Sequence, residues 1–264
     1  MFLVKNNKSL GQHWLKNREI LEEIADLASD GVDEGSACDS PEKIEAETCL
    51  EIGPGLGTLT SSLLKRFNKV IAVEFDARLA ENLPKSFPGK NLEVFNEDIL
   101  KFDFSVIKEP YVVAGNIPYY ITSSIIEKLL TVETLPQKIV LLIQKEVAER
   151  IVDEKESVLS LFVKNRARAF LGPEVKREEF TPPPKVDSAV IVLEPKEPEI
   201  PEEIFKLIRL GFLSPRKKLI HNLNILTSRE KLMKMFDDLG IDLDARPANL
   251  KLDDWRRLYE IIYS

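Results

Sequence analysis

Residues 49–57 read CLEIGPGLG, and the meaning of this stretch decides the fold of the whole chain. Its apolar run predicts a buried strand that breaks into a turn carrying Gly53, Gly55 and Gly57. Residues 58–66 follow with Leu59, Leu63 and Leu64 at helical spacing, so the glycines lie between a strand end and a helix start. That is a ligand-binding position: backbone can approach a ligand with no side chain in the way, and the helix start offers unpaired amides. One strand further on, residues 70–75 (VIAVEF) end at Glu74, about 20 residues past the glycines, where an acid can accept from both hydroxyls of a ribose. This pairing fits any nucleoside-bearing cofactor. It leaves a nicotinamide dinucleotide and S-adenosylmethionine both open, although GPGLG departs from the dinucleotide pattern GxGxxG.

Working outward, short apolar runs at residues 92–95, 111–115 and 139–143 alternate with helical or polar segments, the rhythm of a parallel sheet with helices on both faces. Two later runs, 167–171 and 189–193, complete a seven-stranded sheet. Ligands gather at the carboxyl ends of such strands, and Glu74, Asp98 and Asn116 fall there. The segment FTPPPKVDSA, opening on Phe180, is a connection near the site that its three consecutive prolines make stiff and extended. Beyond the polar linker KEPEIPEE the pattern is helical, at 203–213, 216–225, 228–239 and 252–262, with Gly240 ending the third helix. The expected domains are 1–198 and 199–264. At the other end, KSLGQHWLKN is too polar for a strand and reads as an arm, after which Asn17 caps a helix over 18–28. Residues 29–48 read as a solvated loop without chemistry, with room for a short helix near its end.

The 264 residues are 44% hydrophobic, enough for one large domain and a small one. No run approaches the roughly 18 apolar residues of a membrane span, and MFLVKNNK lacks the order of a signal peptide, so a cytoplasmic address is expected. Cys38 and Cys49 suggest neither a disulfide framework nor a thiolate site, and with only His13 and His221 no metal is expected. The net charge of −7 is unevenly placed. Lys5, Lys8, Lys16 and Arg18 face no acid near the amino terminus, and between residues 206 and 235 eight Lys or Arg face only Glu230.

The most specific string is Asn116, Ile117, Pro118, Tyr119 (NIPY), at the end of the fourth strand. An exocyclic base amine is a poor nucleophile because its lone pair is delocalised into the ring. A methyltransferase therefore gains from acceptors, an Asn side-chain oxygen and a neighbouring carbonyl, that draw the amine towards tetrahedral geometry. A following aromatic can stack on the extruded base, worth roughly 1–3 kcal/mol, and Pro118 stiffens the turn.

With these residues in hand, the sequence resembles the KsgA-type ribosomal RNA adenine dimethyltransferases, which share a fold with erythromycin-resistance methyltransferases and mitochondrial transcription-factor-B proteins. The matching blocks are KSLGQHWL, LEIGPGLGTLT, NEDIL, NIPYYITS, QKEVAERI, FTPPPKVDSAV and SPRKKLIHNL, in order along the chain. The resemblance implies a Rossmann-like α/β class I methyltransferase fold with a mostly parallel seven-stranded sheet, plus a small all-helical, RNA-binding carboxy-terminal domain. It implies that His13, Leu15, Gly53, Glu74, Asp98 and Asn116 surround S-adenosyl-L-methionine, and that the catalytic tetrapeptide Asn116, Ile117, Pro118 and Tyr119 holds the target adenine. Phe180, Arg216, Lys217 and Lys218 would meet the RNA. The implied reaction is dimethylation of two adjacent adenosines near the 3′ end of small-subunit rRNA, on an immature small ribosomal subunit, by a monomer. Departures are His13 where many relatives have Asn, Trp14 where Phe is usual, and SVLSLF replacing a Tyr-Gly-containing segment expected in a loop beside the substrate. Two rivals remain: an erythromycin-resistance-type enzyme of large-subunit rRNA, disfavoured by the complete SPRKKLIHNL block, and a non-catalytic assembly factor, disfavoured by intact Asn116 and Tyr119.

Overall fold

The structure, a computed structural model, describes residues 12–30 and 46–263. The 31–45 stretch, with Cys38 and the short helix envisaged before Thr48, lies outside the described residues, as do Lys5 and Lys8. In chain order the first elements are β1 (Trp14–Leu15), α1 (Arg18–Ser29), β2 (Thr48–Ile52), α2 (Thr58–Leu63), β3 (Lys69–Val73), α3 (Ala77–Ser86) and β4 (Leu92–Phe95). Then come β5 (Tyr111–Asn116), α4 (Thr122–Leu129), β6 (Ile139–Gln144), α5 (Lys145–Val152), α6 (Val158–Arg166), β7 (Ala167–Val175), β8 (Phe180–Thr181) and β9 (Ser188–Pro195). Four helices end the chain: α7 (Glu202–Gly211), α8 (Leu219–Leu223), α9 (Arg229–Leu239) and α10 (Leu252–Tyr263).

Seven strands form one sheet in the order β4-β3-β2-β5-β6-β9-β7. Strands β2 to β6 run parallel and β9 is antiparallel to β6, with Gln144 opposite Ser188. Every residue of β2 is buried, and β5 and β6 are buried except at their last residue, which is why both read as continuous apolar runs. The switch in direction between β2→β3 and β2→β5 opens a crevice at the carboxyl ends of β2 and β5. Asn17 caps α1 by accepting from the amides of Glu19 and Ile20, and Leu21, Ile24, Ala25 and Ala28 bury its apolar stripe.

Four elements differ from the sequence reading. The arm is a strand: Trp14 pairs with Thr181 and Leu15 with Phe180 in a two-stranded antiparallel sheet, a backbone pairing that side-chain polarity does not reveal. Helix α2 stops at Leu63 instead of reaching residue 66. The helix expected over 216–225 is reduced to α8, because the Asn222 side-chain amide donates to the carbonyls of Gly211 and Ser214 and folds the preceding Ser-Pro-Arg segment into a turn. Finally, SVLSLF is no loop. Ser157 caps α6 in a reciprocal pairing with Ser160, and Leu161 and Phe162 are buried.

The chain divides into two compact units, Met1–Ala148 with Ala169–Pro195, and Glu149–Arg168 with Lys196–Ser264. The single boundary near residue 199 assigned Glu149–Arg168 to the first. Three contacts explain its grouping with the helices. Buried Asn165 clamps Ile200 through both the amide and the carbonyl (2.8 and 3.1 Å). Phe162 packs edge-on against Phe205, and the buried Glu156 carboxylate accepts from both Lys164 and Lys251.

Candidate active site

The glycine turn leaves β2 with Gly53 and Gly55 at φ of 66° and 58°, the left-handed region that a side chain disfavours. At Gly55 space matters as well, because a Cβ would stand 3.1 Å from the indole nitrogen of Trp14. The arm thus lies on the turn, and a cavity of about 240 Å³ opens beside them. Of the residues singled out in sequence, His13, Leu15, Gly53, Glu74, Asp98, Asn116, Ile117, Pro118 and Tyr119 all line this one cavity.

Each polar group arrives already braced. Glu74, just past β3, is buried, and its two carboxylate oxygens accept from the amides of Gly55 (3.0 Å) and Asp76 (2.8 Å). Burial pushes its pKa up against the pull of those amides. A carboxylate has about four lone-pair sites, so acceptor capacity remains for a ligand. The neighbouring strand tip is held by Asn96, whose side-chain amide donates to the carbonyls of Glu74 and Phe75. Asp98 accepts from the Leu100 amide through Oδ1 at 3.0 Å, keeping its second oxygen for a donor in the cavity.

Asn116 ends β5, and its side-chain nitrogen donates to the His13 carbonyl at 2.8 Å. Only the NH₂ of a carboxamide can donate there, so Oδ1 is left as an acceptor. His13 is fixed in turn: Nδ1 donates to the Pro182 carbonyl at 2.8 Å, and its ring lies within 17° of the Tyr119 plane, centroids 6.1 Å apart. Gln12 extends the arm towards Asp76.

Phe180 requires a correction. Expected to contact RNA, it is 1% exposed, pairs with Leu15, and belongs to the hydrophobic core, so it does not line the cavity. The exposed aromatics of the cavity are instead Phe75 and Tyr120, at 62% and 68% exposure. Both sit next to a residue the motifs singled out, Glu74 and Tyr119, which was the one available signal. In the helical unit, Arg216 and Lys217 are exposed and form no ion pair among the described residues. Lys218 is already paired with Asp244.

Fold and site together define a class. A parallel sheet whose antiparallel strand β9 is inserted between β6 and β7 departs from the all-parallel dinucleotide-binding order and is the sheet of the class I methyltransferases. The family model for ribosomal RNA adenine dimethylase matches residues 3–264. The chain is 35% identical to ribosomal RNA small subunit methyltransferase A of Mycoplasmopsis pulmonis, covering 97% of this chain and 98% of that one. It is 36% identical to the protein of the same name from a Nostoc species, over 98% and 99%. Among solved structures it is similar to a dimethyladenosine transferase from Plasmodium falciparum (TM-score 0.74, 31% identity, 93% and 96% coverage). It is also similar to the 23S rRNA methyltransferase ErmE (TM-score 0.71, 27% identity, 95% and 100% coverage). The chain belongs to the ribosomal RNA adenine dimethylase family.

Proposed function

We propose that this enzyme transfers methyl groups from S-adenosylmethionine to the exocyclic amines of two adjacent adenosines near the 3′ end of small-subunit rRNA, during assembly of the small subunit. The observation that carries the reading is the Asn116 carboxamide, turned by the His13 carbonyl so that an acceptor remains in the same cavity as Glu74 and Asp98. The cavity suits a nucleoside donor. Glu74 keeps lone pairs for a pair of ribose hydroxyls, Phe75 and Ile99 offer apolar faces, and the second oxygen of Asp98 can accept from an adenine amine.

Bound there, S-adenosylmethionine supplies a methyl group already activated on a sulfonium. The protein's share is alignment, which can contribute on the order of 7–11 kcal/mol. Asn116 Oδ1 and the Ile117 carbonyl accept from the amine of the extruded base; the Pro118 carbonyl next to them is taken up by the Ile121 amide. Tyr119 supports the base from the following turn. Because these groups only accept, a monomethylated amine with one N–H can still be held, whereas a dimethylated amine has none to donate and is released.

The test is label transfer from the donor to purified immature small and large subunits, assayed side by side, with the modified adenosines mapped by primer extension. Label confined to large-subunit rRNA would favour the ErmE-like alternative, which the 27% identity to that enzyme supports less than the 35–36% to the small-subunit relatives. No label in any particle would leave an assembly factor.

Two measurements probe the ligand contacts. The chain has two tryptophans; Trp255 is fully buried in the helical unit, while Trp14 lies on Gly55 at the cavity. Donor binding should therefore change Trp14 emission, and Trp14→Phe should abolish the change while Trp255 emission stays constant. For RNA, Arg216→Ala and Lys217→Ala should each flatten the salt dependence of binding by roughly 0.7–0.9 in log–log slope. Lys218→Ala should do less, since Asp244 already partners it. Equal slopes for parent and Arg216→Ala/Lys217→Ala protein would remove this turn from the RNA contacts.

A further inference from the structure

Tyr119 stands on a 3-10 turn after β5, a position from which a ring can swing, yet its far end is tied down. Its hydroxyl lies 2.6 Å from Oγ of Ser188. Ser188 is fully buried as the first residue of β9, opposite Gln144 of β6. The bond therefore spans β6 and joins the tip of β5 to a strand two places along the sheet. Half-buried, the phenol has its pKa raised by desolvation, and the Ser188 bond only partly opposes this, so the neutral O–H is kept for a hydrogen bond between two hydroxyls. The same connecting segment reaches the ring a second time through the Pro182 carbonyl, which holds the His13 imidazole alongside it.

We propose that Ser188 is a positioning residue for methyl transfer, fixing the Tyr119 ring at the base site through the bond between their hydroxyls. The inference rests on the reading of Tyr119 as the base support, and it assigns the phenolic oxygen to the protein: the ring serves the substrate and the hydroxyl serves Ser188. Removing either hydroxyl breaks the same bond, which keeps the aromatic ring but frees its position.

The experiment is a double-mutant cycle on the full chain, with S-adenosylmethionine and immature small subunits, using Ser188→Ala, Tyr119→Phe and the double variant. Each single variant should lose about tenfold in kcat, the size expected for one ordinary hydrogen bond, and the double variant should lose no more than either. KM for the particle and donor affinity should stay at the parental values, because neither phosphate nor cofactor contacts change. Ser188→Thr, which keeps a hydroxyl at the same position, should recover most of the lost kcat. A double variant whose losses multiply would show that Ser188 acts through the strand and would overturn the proposal. So would a parental kcat in Tyr119→Phe, a variant that leaves β9 untouched and remains informative if Ser188→Ala does not fold. An inactive parent protein would sink the functional reading and this inference together, whereas an active parent with an unaffected Tyr119→Phe sinks this inference alone.

Discussion

Asn116→Ala is expected to lower methyl transfer at least about 100-fold, the loss typical of removing one pre-aimed polar group from a reacting centre. The carboxamide makes two separable contributions. In the proposed mechanism its oxygen accepts from the target amine; in the structure its nitrogen ties the end of β5 to the arm through the His13 carbonyl. Asn116→Asp divides them: the carboxylate can still accept from the amine but cannot donate to a carbonyl, so the arm should loosen and Trp14 emission should shift even without donor. Single-turnover transfer and tryptophan emission are the two readouts. Near-parental turnover in Asn116→Ala would refute the amine contact.

A second large effect concerns pH and stability. Glu51 sits on β2 beside the glycine turn, lines the cavity and is 1% exposed. Burial pushes its carboxyl up from 4.5 to about 8, opposed by the 2.6 Å bond from the Thr60 hydroxyl and assisted by the nearby Glu74 charge. Between those two values the folded protein holds a proton that the unfolded chain has released. The contribution of Glu51 to stability therefore falls as pH rises from about 4.5 to about 8 and is level above, an integrated change on the order of 3–5 kcal/mol. Glu51→Gln retains an acceptor for Thr60 and cannot ionise. Its advantage over the parent should be small at pH 5 and grow steadily to pH 8 in urea denaturation. Carboxylates held low, such as Glu22 at about 2 between Lys65 and Arg66, add slope of the opposite sign only at the lower edge of this window, and they are present in both proteins and cancel in the difference. Glu74, also raised, is present in both proteins and enters the difference only through its charge interaction with Glu51. Parallel stability curves for parent and Glu51→Gln would show that Glu51 is not protonated in the folded protein.

The sheet, its strand sequence and the polar residues at the strand tips were legible because each depends on local chemistry. Apolar runs bury on both faces, glycines permit the turn after Ile52, and proline stiffens the turn after Asn116. That Glu74, Asp98 and Asn116 would share a cavity followed from the strand ends alone. Phe180 shows where this reasoning stops. An aromatic before three prolines looks like an exposed base contact, and only its pairing with Leu15, 165 positions earlier in the chain, puts it in the core. Residues 157–162 failed for the same reason: their environment is set by the helices they join, not by the loop in which related sequences suggested they lie.

By itself, then, the sequence determined the kind of sheet, the place of its ligand crevice and the chemistry of the residues around it, since periodicity and turn-forming residues act over a few positions. The tertiary structure alone decided that the arm pairs with β8, that Trp14 covers Gly55, that the His13 carbonyl turns Asn116, and that Ser188 holds Tyr119. These contacts join residues 41 to 167 positions apart or pass through backbone groups common to every amino acid, so no local pattern encodes them.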